Sequence, residues 1–132
     1  EGKLIPLKQT RLGETGNCFE TCIASLLNLE IEQVPDLLAY EHGPWMEKIN
    51  EWLASKYKLA YIILYLPKIE RDCFFSDKDF YHVMIGNTNR SSDIKHAVVG
   101  RRGKMVHDPH PDNIGILDDD MLKIGVLVSQ CL

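Results

Sequence analysis

A chain of 132 residues is one domain's worth, long enough to bury about two thirds of the surface its unfolded form exposes. With 15 basic and 19 acidic side chains and a net charge of −4 it carries no electrostatic footprint for nucleic acid or an anionic membrane surface. No apolar run approaches a membrane span, the start EGKLIPLKQ lacks the charged-then-apolar order of a signal peptide, and four cysteines do not make a disulfide scaffold, so a reducing, cytoplasmic setting is the simplest expectation, with export as an effector left open.

Leu4 to Thr10 reads as an extended lead-in, followed by a loop through Gly13 and Gly16. The stretch GNCFETCIASLL then opens a helix: Gly16-Asn17 is a turn with a good capping residue, and Phe19, Cys22, Ile23, Leu26 and Leu27 recur at three- and four-residue spacing. The helix is expected to end near Leu29. Cys18 falls in its first turn, where unpaired N–H groups and the positive end of the helix dipole favour a thiolate. Pro35 breaks the chain, and Asp36 caps a short helical turn through Leu37, Leu38 and Tyr40. A second helix starts at Gly43-Pro44, with Trp45, Ile49, Trp52 and Leu53 as one apolar stripe up to about Tyr57.

The period then changes. LAYIILYL, closed by Pro67, reads as a buried strand, and 68–78 as a charged, irregular connection. Phe80 to Gly86 alternates like a strand and runs into a polar loop from Asn87 to Asp93. Two more strands, Lys95 to Arg101 and Lys104 to His107, flank Arg102-Gly103 as a tight turn, and Leu122 to Val128 is the last strand. Helices first and an antiparallel sheet afterwards make a single α+β domain over 1–132.

A hairpin turning at Arg102-Gly103 places His96 and Asp108 on neighbouring strands. A histidine oriented by an acceptor on one ring nitrogen and facing a thiol with the other is the arrangement that activates a cysteine. The spans GNCFETCIASLL and HAVVGRRGKMVHDPHP together resemble the papain-like cysteine peptidases, and within them the bacteriocin-processing peptidase domains fused to ABC exporters. The resemblance implies a papain-like fold, with N-terminal helices packed on a C-terminal antiparallel sheet. It implies Cys18 as nucleophile, His96 as general base and Asp108 as the residue that orients it. In the exporter domains a glutamine a few residues before the cysteine donates to the oxyanion. Here Gln9 is the candidate, across a longer loop, with the Cys18 backbone N–H as second donor. No transporter is attached in this chain, which points to a free-standing peptidase-like domain acting on a peptide or protein substrate, with no cofactor and no metal.

Since the segment before the histidine strand borders the groove in papain-like clefts, Arg90, Ser91 and Ser92 are substrate-contact candidates, together with Asn17. Three competing readings stand beside hydrolysis. Deamidation or acyl transfer uses the same three residues, a peptidase-like module can bind peptide without turnover, and Cys18, Cys22, His107 and His110 could hold zinc, although their spacing does not fit a finger. Cys22 and the two tryptophans read as core, Cys73 and Cys131 carry no motif, and Asp118 to Asp120 reads as a solvated turn.

Overall fold

A computed structural model of the chain describes residues 4–13, 16–40 and 43–129, with the side chains of 39 and 91–93 outside that description. Three α-helices, α1 (Cys18–Leu27), α2 (Trp45–Tyr57) and α3 (Lys68–Phe74), accompany one sheet of five strands. The strands are β1 (Leu59–Leu66), β2 (Tyr81–Thr88), β3 (Ser91–Arg101), β4 (Lys104–His107) and β5 (Leu122–Ser129), arranged β1-β5-β2-β3-β4 with every pair antiparallel. The expected α+β class is therefore observed. Among the described residues no helix is long and apolar enough to cross a membrane.

α1 lies on β2 and β3 and α2 on β1. Their shared core holds Cys22, Ile23 and Ala24 of α1, Ile49 and Leu53 of α2, and Tyr61, Val83, Ala97 and Val99 of the sheet. A second cluster, Phe75, Met84, Val98, Leu122, Ile124 and Val126, packs beside the segment that contains α3. Alternation along β3 explains the division, because Ala97 and Val99 belong to the first cluster and Val98 to the second.

Local chemistry fixes the ends of the elements. α1 stops two residues before the expected Leu29 because Asn28 turns left-handed (φ 60°) and the Leu29 N–H closes onto Ala24 O at 2.9 Å. Arg102 and Gly103 both have positive φ, 57° and 82°, as a two-residue type I′ hairpin requires. The Asp36 carboxylate accepts the Leu38 N–H at 3.1 Å and opens the short 3₁₀ turn Leu38–Tyr40.

Three expectations need correction. β1 is an edge strand paired only with β5, and it is half open to solvent, with Tyr65 60% exposed, rather than buried on both faces. The 68–78 connection is ordered into α3 and the 3₁₀ turn Phe75–Asp77, anchored by Arg71, which is only 5% exposed and donates to the carbonyls of Leu66, Asp119 and Asp120. The polar stretch 87–93 is largely ladder, since β2 and β3 run on to the pair Thr88 and Ser91, with Thr88 buried. Asp118 to Asp120 is the solvated stretch expected, with Asp118 73% exposed, and it also pairs with its neighbours, Asp118 with Lys68 and Arg71 and Asp119 with Asn87.

Candidate active site

The first turn of α1, the middle of β3 and the chain leaving β4 meet at one place. β4 pairs with β3 through His107 and Val99, and the next residue, Asp108, turns inward. Its Oδ1 is 2.6 Å from His96 Nε2. Oδ1 also accepts the His110 N–H at 2.9 Å, and Oδ2 accepts the Gly115 N–H at 2.8 Å. The Asp-Pro-His-Pro sequence thus wraps its own loop around the carboxylate, an Asx-type turn that leaves Asp108 2% exposed but fully bonded.

With Nε2 committed to Asp108, Nδ1 of the His96 ring is left over, and the Cys18 side chain lines the same groove and makes the ring more basic. The Cys18 sulfur also receives the Ala97 N–H at 3.4 Å, which fixes it against β3. Burial works against a charged His96, but the hydrogen bonds from Asp108 and Cys18 outweigh it and hold the ring up to about 9 from an ordinary 6.5. Burial likewise opposes the charged form of Asp108. The bonds from His96 and from the His110 and Gly115 N–H groups overcome it and bring the carboxyl down to about 2. At neutral pH the ring therefore carries a proton above a charged carboxylate, beside a sulfur.

These residues open onto a groove of about 310 Å³ lined by Gln9, Gly13, Gly16, Cys18, Thr88, Arg90, Ile94, Lys95, His96 and His110. A larger and more open depression of about 450 Å³ sits at the β3–β4 turn, around Phe75, Arg102 and Lys104. It lacks a nucleophile paired with a base, so the smaller groove is the chemically meaningful one. No family model, curated protein or solved structure matches this chain. The site has to be judged on its own geometry.

Gln9 is 9% exposed and reaches the groove. Its Nε2 donates one proton to Arg11 O at 2.8 Å, which leaves the second proton without a protein acceptor among the described residues, while Oε1 is buried with no partner. The Cys18 N–H, first in its helix, has no intrahelical acceptor. Gln9 and Cys18 thus bring two N–H donors to the same groove. Arg90 stands at the rim, its Nη1 holding both oxygens of Asp112 at 2.8 and 2.9 Å. Ser91 and Ser92 belong to β3, and their side chains lie outside the described residues.

Asn17 requires a correction. Its side chain makes no helix cap. Oδ1 accepts the N–H groups of Thr10 and Arg11, both at 3.1 Å, and Nδ2 donates to Thr10 Oγ1 at 2.8 Å. Asn17 is 3% exposed, and its carboxamide splints the preceding loop to α1. The four residues weighed for zinc do not gather either. Cys22 is fully buried in the core, His107 Nε2 meets Leu7 O, and His110 Nδ1 meets the Asp112 N–H at 3.1 Å. Among the described residues no group of three His, Cys, Asp or Glu side chains is placed to hold a metal ion.

Sequence reasoning gave His110 only to the zinc alternative, yet its ring stands edge-on to His96 at 6.0 Å and lines the groove. The repeated His-Asp spacing in HDPHPD was the available signal. Nothing in the sequence singled out Lys8, whose ammonium donates to the carbonyls of Asp108 and His110.

Proposed function

We propose that this chain is a cysteine-dependent hydrolase of amide bonds, in peptide or isopeptide linkage, of the papain-like kind. The observation that carries the proposal is the 2.6 Å bond between His96 Nε2 and Asp108, with Cys18 and the same ring lining one groove. A merely structural histidine is satisfied by burial and one acceptor. Here a buried imidazole is held protonated between a carboxylate and a thiol at the mouth of a groove, which is the constellation nucleophilic catalysis needs. The order of parts also agrees, with the nucleophile on the first helix, the base on the sheet and the carboxylate past the next strand.

The sulfur attacks the substrate carbonyl carbon, and the oxygen takes up the electron pair from the C=O bond. The Cys18 N–H and the free Gln9 Nε2 proton are the donors to that oxyanion. As the tetrahedral intermediate collapses the C–N bond breaks, and His96 gives its proton to the departing amine. The resulting thioester is attacked by water, whose proton passes to His96, and the acid leaves as the C–S bond breaks. Asp108 stays charged throughout and keeps the ring in register.

Iodoacetamide at neutral pH tests the first step. Cys18 is expected to alkylate about tenfold or more faster than the exposed Cys73, while Cys22, whose thiol burial pushes well up, stays unlabelled in the native protein. Cys18→Ala is expected to retain the fold and to lose all cleavage of a degenerate peptide library read by mass spectrometry. Equal alkylation of Cys18 and Cys73, or cleavage that survives Cys18→Ala, sinks the proposal.

A further inference from the structure

Residues 5–9 run as a strap between the two sides of the site. Toward α1, the Ile5 N–H donates to the Ser25 carbonyl at 3.4 Å and the Leu7 N–H to the Ser25 hydroxyl at 3.2 Å. Toward the carboxylate loop, the Gln9 N–H donates to Pro109 O at 2.9 Å, and His107 Nε2 meets Leu7 O. Between them Lys8 spends its ammonium on three oxygens of one loop: Asp108 O at 2.9 Å, His110 O at 3.1 Å and Asn113 Oδ1.

None of these three acceptors is a carboxylate, so Lys8 is not there to neutralise a charge. What the three share is their position, bracketing Asp108. The loop is laced from inside by the Asp108 carboxylate, which takes the N–H groups of His110 and Gly115, and from outside by Lys8, which takes the carbonyls. An ammonium has three donors, and this geometry uses all of them on a segment that presents its oxygens together.

The geometry points to Lys8 as a positioning residue, one that pins the Asp108–Asn113 loop to the same strap that carries Gln9. It thereby sets the carboxylate behind His96 and the amide beside Cys18 as one unit. The inference rests on the proposed triad and adds a group that touches neither substrate nor the reacting atoms. A displacement of about 1 Å in such a constellation costs on the order of a hundredfold in rate, so a clamp that fixes two of its members at once has leverage out of proportion to its exposed position.

Lys8→Met keeps the aliphatic stem and removes the donors. Its expected effect is a fall of about tenfold or more in the rate of Cys18 alkylation at neutral pH. Cys73 alkylation is expected to stay unchanged, and Lys8→Arg to recover most of the Cys18 rate, which simple loss of packing would not allow. A Lys8→Met protein with the wild-type Cys18 rate overturns the clamp and leaves the triad standing. A wild-type protein whose Cys18 reacts no faster than Cys73 overturns the triad, and the clamp with it. Should Lys8→Met fail to fold by circular dichroism, Asn113→Gly keeps the left-handed backbone at that position (φ 59°) and removes one acceptor of the three. It is expected to slow Cys18 by a smaller factor, and an unchanged rate there overturns the clamp equally.

Discussion

Replacing Asp108 with Asn removes a charge without changing a shape. The carboxylate accepts three hydrogen bonds, with His96 and the His110 N–H on Oδ1 and the Gly115 N–H on Oδ2. An Asn side chain keeps one acceptor oxygen and puts an NH₂ where the other stood, so in either orientation at least one buried donor faces another donor. That mismatch costs about 1–3 kcal/mol, and losing the charge on the bond to His96 adds about 1.5–3 kcal/mol. A total of about 2.5–6 kcal/mol leaves a domain of mid-range stability folded.

The gap between wild type and Asp108→Asn should also depend on pH, with a sign fixed by the two groups. His96 sits at about 9 folded against 6.5 unfolded, so its contribution is complete below 6.5 and is lost as pH rises through about 9. Asp108 sits at about 2 folded against 3.8 unfolded, so its contribution is complete above 3.8 and is lost as pH falls through about 2. The gap is therefore widest between 3.8 and 6.5 and closes on the alkaline side. Urea unfolding of reduced protein at about pH 5, 7 and 9 measures it. A gap below about 1 kcal/mol, or one flat from about pH 6 to 9, refutes the account of a charged carboxylate beneath a protonated ring.

His82 provides an opposite pH limb. Burial takes its ring down to about 4, despite a bond to Val83 O, and Nε2 accepts the Gly103 N–H at 3.0 Å. The stability that comes from keeping it neutral is complete above 6.5 and drains away as pH falls through about 4, roughly 3 kcal/mol in all, and His82→Phe should flatten that acid limb of the urea midpoint. Gly125 lies where an added Cβ would overlap the Tyr61 ring, so Gly125→Ala is expected to cost about 1–3 kcal/mol in the same unfolding assay. Tyr61→Phe removes a buried hydroxyl that has no partner, and should be neutral or stabilising by up to about 1 kcal/mol. Because that hydroxyl is also the atom nearest the added methyl, the double variant should be more stable than the sum of the two single effects predicts.

Much of the fold was legible because local chemistry and tertiary demand agree there. α2 begins directly after Gly43-Pro44, β1 ends at Pro67, and the Arg102-Gly103 pair sits where two left-handed residues are wanted. That last turn also made the site legible, since it folds β4 back on β3 and so returns Asp108, one residue past β4, to His96. The failures have a common cause. α3 is only seven residues long and has no apolar stripe, and its anchor is a buried arginine whose partners, the carbonyls of 66, 119 and 120, lie up to some fifty positions away in the chain. Asn17 looked like a cap because its type suits one, but Thr10 and Arg11 offer the same carboxamide three bonds where a cap offers one. Lys8 has no signature at all, because its acceptors are two main-chain carbonyls and an amide about a hundred residues on.

The order β1-β5-β2-β3-β4 has a consequence for how such a protein matures. The β2–β3–β4 meander is made of neighbours and can zip as soon as it is synthesised, but β1 pairs with none of its strands and enters the sheet only through β5. Until residues 122–129 slide into the gap, β1 stays outside the sheet that holds the histidine, and α2 and Tyr61 meet that half through Phe19 of α1. A ribosome-bound chain that has already made Cys18, His96 and Asp108 therefore has every reactive group and no finished scaffold, and the last strand acts as the keystone that converts one into the other.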